Sequence, residues 1–201
     1  MPRTKETIEA MRETTRRKIE DAALSLFARN GLSVKVGEIA DEAGISQGLL
    51  YSYYQSKDEL ITELIQQATN ISGRVIMEIA GSGDTASVKI KRITETMCGM
   101  FIGASSLGID YFMFMVQVGL NGFWATQASQ FSKEYPSPIE SLARVIAQGQ
   151  KERSVTRGNQ FNMSVVYWAA IQGLCCYAAT GIPVSPDQKT LNRILLREEY
   201  L

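Results

Sequence analysis

Between residues 46 and 57 the chain gathers Ser46, Gln47, Gly48, Tyr51, Tyr53 and Lys57, side chains suited to gripping a polyanion and reading a flat hydrogen-bonding edge. A glutamine amide presents donor and acceptor side by side and pairs bidentately with adenine in a major groove, so Gln47 is the candidate for base readout. The hydroxyls of Ser46, Tyr51 and Tyr53 and the Lys57 ammonium suit phosphate oxygens, contacts that set register without specifying sequence. Gly48 costs a helix roughly 1 kcal/mol relative to alanine. A main chain that must approach a phosphate or groove wall would explain it, because glycine has no side chain to hold the surfaces apart. Upstream, Arg16 and Arg17 of the run Arg16-Arg17-Lys18 are further candidates for phosphate contact, with a solvated helix face as the alternative.

The elements that position these groups can be read from the stretch Val36 to Leu60. Ile39, Ala40 and Ala43 recur at helical spacing, and Gly44 can end that helix in the left-handed geometry of a C-cap. Ile45 plugs the space between two short helices, Ser46 caps the second, and Leu49, Leu50 and Tyr54 are expected to face inward. Ser56-Lys57-Asp58-Glu59 is a capping box. It opens a third helix expected from Lys57 through Leu60, Ile61, Leu64, Ile65 and Ala68 to about Ile79, ended by Gly81-Ser82-Gly83. Before this tight turn, Ile19, Ala22, Ala23, Leu26 and Phe27 form one apolar stripe on a helix from about Thr15 to Asn30, closed by Gly31. The pattern leaves open whether Ile8 and Met11 extend that helix or belong to an arm. Two short helices across a Gly-containing turn, braced by a third, are the grammar of a helix-turn-helix.

Ile39-Ala40, Ala43-Gly44-Ile45-Ser46, Gly48, Leu50-Tyr51, Tyr54 and Ser56-Lys57 with Leu60 together resemble the DNA-binding signature of the tetracycline-repressor (TetR) family of bacterial transcription regulators. Beyond this segment the chain is similar to the family only in length and helical pattern. One position departs: the family's second helix usually begins with Ser or Thr, and here Lys35 stands. Losing a capping hydroxyl costs about 1 kcal/mol, while an ammonium there can reach a phosphate, so Lys35 joins the candidates. The resemblance implies an all-α chain: residues 1–60 as N-terminal arm and three-helix helix-turn-helix domain, with a connecting helix from about 57, then 61–201 as a helical effector-binding and dimerisation domain. It further implies a homodimeric repressor on a pseudo-palindromic operator in double-stranded DNA, released by a small-molecule effector. The half-sites would lie roughly 34–36 Å apart, and the connecting helix would act as the lever.

Composition narrows the other classes. The 201 residues are 45% hydrophobic and carry 21 Lys plus Arg against 21 Asp plus Glu, enough to bury a real core in one mid-sized domain or two small ones. The chain has no histidine, which removes the commonest general base and metal ligand. Cys98, Cys175 and Cys176 lack metal-ligand spacing and read as reduced thiols. No enzyme, metal or cofactor is expected. Met1 to Lys18 is polar rather than apolar, so no signal peptide is read and a cytoplasmic protein is expected. The first sixty residues hold nine basic and ten acidic side chains, so a whole-domain basic footprint is absent. Met1 to Lys18 alone carries six basic and three acidic residues, so the positive charge is local.

From Asp84 onward the pattern is helical. Asp84 is expected to cap a helix through Ile90, Ile93 and Met97. Ser137-Pro138-Ile139-Glu140 and Ser185-Pro186-Asp187-Gln188 repeat one start signal and predict helices near 138 to 153 and 186 to 199. Between them, Asn159 to Thr180 lies in an uncharged span and is apolar nearly all round, so it must be covered on both sides. Asn162, Ser164, Gln172 and Thr180 break the run too often for a membrane span. A subunit interface is the better account: Ala169, Ala170 and Gly173 allow close approach, flanked by Leu174 and Tyr177. Leu191, Ile194 and Leu195 of the final helix would complete a four-helix packing with a second copy. The aromatic and methionine-rich stretch from Tyr111 to Trp124 reads as core by default. The alternative is an apolar effector pocket lined by Tyr111, Phe114, Gln117, Asn121, Trp124 and Trp168, suited to a large hydrophobic ligand. A helical small-molecule-binding or interaction protein without DNA-binding activity would explain the apolar helices but not the Gly48, Tyr51, Lys57 pattern.

Overall fold

The computed structural model describes residues 5–102, 107–123, 137–182, 184 and 187–201. They form α1 (Lys5–Asn30), α2 (Val36–Glu42), α3 (Gln47–Tyr51), α4 (Lys57–Gly81), α5 (Ala86–Ile102), α6 (Leu107–Leu120), α7 (Pro138–Lys151), α8 (Gln160–Ala179) and α9 (Gln188–Asn192), with a closing 3-10 turn at Glu198–Tyr200. The fold is all-α; among the described residues the only strand-like pairing is a bridge between Val155 and Leu196. Helix ends fall where the side chains can satisfy them. Ser46 Oγ accepts from the Leu49 N–H at 3.2 Å, Ser56 Oγ from the Glu59 N–H at 3.1 Å, and Asn159 Oδ1 from the Asn162 N–H at 2.9 Å. Ser137 and Glu140 form a reciprocal capping box. Gly31 and Gly44 take φ of +78° and +67° as C-caps, a region in which a Cβ would be strained. α1 starts at Lys5, so Ile8 and Met11 belong to the helix, both exposed.

Two hydrophobic clusters organise the chain. The first joins Ile19, Ala23, Leu24 and Phe27 of α1 to Ile39, Ala40, Leu50 and Tyr54, then to Leu60, Ile61, Leu64 and Ile65 of α4. α6 completes it: Phe114 and Val118 are fully buried there, and the Phe114 ring stacks on Phe27 with centroids 6.0 Å apart. Burying a side chain of that size contributes about 1.5–3 kcal/mol, so α6 is tied firmly to the helix-turn-helix. The second cluster gathers Ile76 and Ile79 of α4 with Ile90, Ile93 and Met97 of α5, Leu142 and Ile146 of α7, and Tyr167 and Ile171 of α8. At its centre Thr94 Oγ1 lies 2.6 Å from Asn192 Oδ1 and 2.8 Å from the Tyr167 hydroxyl, binding α5, α8 and α9 through a buried polar hub. Being satisfied, the hub fixes register without the cost of orphaned polar groups.

Three expectations are corrected. The final helix does not run from 186 to 199: α9 spans only Gln188–Asn192, capped by Asp187 through the Lys189 and Thr190 N–H groups. The Ser185 and Pro186 start signal lies outside the described residues. The chain then turns so that the Thr156 N–H donates to Leu195 O and the Arg197 N–H to Ser154 O. Leu191 and Leu195 are therefore buried in the second core of the same subunit and are not available to a partner, while Ile194 is half-buried against it. Asp84 does not cap α5 either. Its carboxylate accepts from Ser82 and from Arg92 at 2.7 Å, while the Ala86 N–H donates to the Glu152 carboxylate at the end of α7.

Candidate nucleic-acid interface

α3 is held from behind and open in front. Leu50 is buried, and the Tyr54 hydroxyl just past the helix donates to the buried Glu20 carboxyl of α1 at 2.5 Å. Burial and that hydrogen bond raise the Tyr54 pKa well above the ordinary tyrosine value, so the phenol stays a donor. Ser46, Gln47, Gly48 and Tyr51 face outward. Leu49 corrects the inward expectation: it is 42% exposed, turned away from the core that holds Leu50. With a helix only five residues long, Leu50 and Tyr54 suffice to anchor it. Apart from its chain neighbours and its own helix backbone, a Cβ at Gly48 would meet no atom of the described residues within 4 Å. No contact among the described residues therefore calls for glycine at that position.

The open face is concave. A cleft of about 540 Å³ is lined by Lys35, Gly37, Glu38, Asp41, Gln47, Tyr51 and Lys57, among others. A Cβ at Gly37 would lie 3.7 Å from Gln47 Oε1, which places the glutamine amide at the mouth of α2. Lys35 has no capping hydroxyl; instead the Glu38 carboxylate accepts its N–H at 2.7 Å, leaving the ammonium exposed. Lys57 is half-buried, and its Nζ donates to the carbonyls of Leu32 and Val34 at 2.8 and 3.2 Å. Much of its hydrogen-bonding capacity thus holds the loop that launches α2. Arg17 forms an exposed pair with Glu13 at 3.1 Å, worth little in stability. At 100° per residue it points a quarter-turn away from Arg16, the neighbour that shares a face with Glu20. Tyr53 is half-buried and carries the Arg12 guanidinium 6.0 Å above its ring. Arg12 was not among the sequence candidates; its i−4 spacing to Arg16 was the signal that could have found it.

In the rest of the chain the six pocket candidates separate. Phe114 is core between α6 and α1, with no surface left for a ligand. Gln117 packs with its Oε1 3.2 Å from where a Cβ of Gly31 would stand, and Asn121 Nδ2 donates to Gln117 O. The Tyr111 hydroxyl donates to Gln67 Oε1 at 3.0 Å. Tyr111 and Gln117 are engaged by the contact of α6 with α4 and α1, because the aromatic stripe that suggested a pocket is the joint between the two cores, while Asn121 stays exposed just past the end of α6. Trp124 lies outside the described residues. Trp168 differs: it is 8% exposed, and its indole Nε1–H, buried, has no hydrogen-bond partner among the described residues. On α8 an apolar face remains open, with Val166 and Tyr177 58% and 59% exposed. Val165 and Ala169 are exposed along it and Gly173 is half-buried, whereas Ala170 and Leu174 turn partly into the core.

A capped short helix held on a braced core with its polar edge outward makes this a helix-turn-helix protein. Residues 19–64 match the family model for bacterial regulatory proteins of the tetR family, so it is this segment that carries the likeness to that family. It is 34% identical over 79 residues to the HTH-type transcriptional regulator AcrR of Shigella flexneri, covering 38% of this chain and 37% of that one. The chain thus spans well under half the length of the curated relatives it matches. In fold it is similar to the MbdR regulator from Azoarcus sp. CIB, with 21% identity, TM-score 0.75 and coverage of 91% and 97% of the two chains. It is also similar in fold to the SmeT–triclosan complex, at 12% identity, TM-score 0.68 and 94% coverage of both chains. Among the described residues no helix is long and apolar enough to cross a membrane.

Proposed function

We propose that the protein is a homodimeric, sequence-specific DNA-binding transcription regulator, a repressor released from its operator by a small hydrophobic ligand. Gly48 carries the reading: a helix-weakening residue with open space around it is explained by a surface outside the molecule that must come close. Gln47 supplies base readout, while Ser46, Tyr51 and Tyr53 hold phosphates from α3, Lys35 from the start of α2 and Arg16 from α1. Lys57 chiefly fixes the α2 loop and offers the phosphate its remaining proton. Arg17, paired and turned aside, has no part.

Dimerisation uses the open α8 face of Val165, Val166, Ala169, Gly173 and Tyr177, apolar side chains that a second copy would cover. Residues 1–60 then act as the DNA-binding unit and 61–201 as the effector and dimer unit, working in the cytoplasm. The effector site includes Trp168, whose orphaned N–H rewards a ligand bearing a hydrogen-bond acceptor. A solved structure similar in fold is the SmeT–triclosan complex. Because α6 belongs to the first core and borders the second, a ligand that favours a displaced α6 and α4 favours a dimer whose recognition helices miss the half-site spacing. That ligand must bind the released state more tightly, since equal affinity shifts nothing.

Gln47→Ala and Tyr51→Ala test the reading. Loss of binding to the DNA upstream of the protein's own gene, with helix content and dimer retained, is expected. Indifference of both variants would favour a helical interaction protein without DNA-binding activity.

A further inference from the structure

None of residues 5–18 is buried, yet they continue α1 for about 21 Å beyond the part that packs in the core. That length adds no stability through burial, and the family match begins only at residue 19. Its direction is fixed by two contacts. Glu20 faces Tyr54, and Arg12, two turns earlier on the same side, covers the ring of Tyr53. At 100° per residue Lys5, Glu9, Arg12, Arg16 and Glu20 line this one face, so the projecting part carries three cations against the single carboxylate of Glu9. Among the described residues Lys5, Arg12 and Arg16 make no ion pair, whereas Arg17 on the next flank is paired with Glu13.

We infer that the projecting turns of α1 form a second DNA-contacting arm, in which Arg12 and Lys5 hold backbone phosphates flanking those taken by the recognition helix. The inference rests on the DNA-binding reading above. Stacking over Tyr53 holds the Arg12 guanidinium in place before DNA arrives, so less side-chain freedom is lost on binding. The partner chemistry is the phosphodiester backbone, which cations on a face flanking the recognition helix are placed to hold. Such an arm supplies charge that the near-neutral first sixty residues lack as a whole.

Binding of the full-length protein to an operator fragment and to random duplex, measured across a salt series, decides it for Arg12→Gln, Lys5→Gln and Arg17→Gln. Removing one cation from a phosphate lowers the slope of log affinity against log salt by about 0.9. Arg12→Gln and Lys5→Gln are each expected to show that drop, with affinity for operator and random duplex falling in the same proportion, and Arg17→Gln to match the unsubstituted protein. Unsubstituted slopes for Arg12→Gln and Lys5→Gln would overturn the arm and leave the recognition helix untouched. So would an Arg12→Gln variant that keeps its slope but loses only its preference for operator, since Arg12 would then merely orient Tyr53. An unsubstituted protein that binds neither DNA overturns the DNA-binding reading itself.

Discussion

Replacing Tyr54 by phenylalanine removes one oxygen from the anchor of the recognition helix and leaves the ring's packing intact. The structure sets the magnitude. Glu20 is 9% exposed and its carboxyl accepts the Tyr54 proton at 2.5 Å, so the substitution strands a buried acceptor without opening a cavity. An unsatisfied buried polar group costs about 1–3 kcal/mol, more when charged, and about 3 kcal/mol is expected here. For a chain of this size each kcal/mol moves the melting temperature by about 2–4 °C, giving a fall of about 6–12 °C by scanning calorimetry. Glu20→Gln keeps an acceptor and is expected to cost about 1 kcal/mol. The double variant should cost clearly less than the sum of the singles, because the two groups act on one bond. Operator affinity should fall with Tyr54→Phe as α3 loses its rear hold. A Tyr54→Phe protein within 0.5 kcal/mol of the unsubstituted one would show that this hydrogen bond does not anchor the helix.

Gly48→Ala should raise thermal stability, by up to about 1 kcal/mol, because no described residue outside its own helix backbone and chain neighbours lies within 4 Å of the new Cβ; binding titrations should show weaker operator affinity in the same protein. Val166→Asp places a charge on the open α8 face, where the native valine is 58% exposed; light scattering should report a monomer with undiminished helix content. Gly149→Ala is expected to destabilise by about 1–3 kcal/mol in chemical denaturation, since its Cβ would fall 2.3 Å from Val155 Cγ2. Burial pushes the Tyr167 pKa up to about 12 and raises those of Tyr54 and Tyr111. Folded values above the ordinary one of about 10 mean that their stabilisation is whole below that pH and is lost as pH climbs towards 12. An ultraviolet titration should therefore show these three of the eight tyrosines ionising only as helical signal is lost.

The helix-turn-helix was legible because its signals are local. Ser46, Ser56 and Gly44 act on backbone groups within four residues of themselves, and each did what its type predicts. Leu49 was misread because a five-residue helix has too few turns for hydrophobic spacing to identify its inner face. The end of the chain failed for a long-range reason: pairing of Leu196 with Val155 stops α9 early and draws Leu191 and Leu195 inside. The same limit applies at Asp84, where Glu152, far along the sequence, took the capping position. The aromatic stripe of α6 reads alike as pocket or core, and only the stacking of Phe114 on Phe27 separates the two. Of the site residues, Gln47 and Tyr51 lie exposed on the face where the motif put them. Lys57 is held by the Leu32 and Val34 carbonyls, contacts that no motif encodes.

Titration of the purified protein on the intergenic DNA upstream of its own gene, at two salt concentrations and against excess random duplex, bears most directly on the account. Saturable binding that survives the competitor, weakens steeply with salt and protects two half-sites about one helical turn apart is the predicted result. A folded dimer that binds this DNA no better than random duplex, and that recovers no enriched fragment from a genome-wide selection, would contradict it.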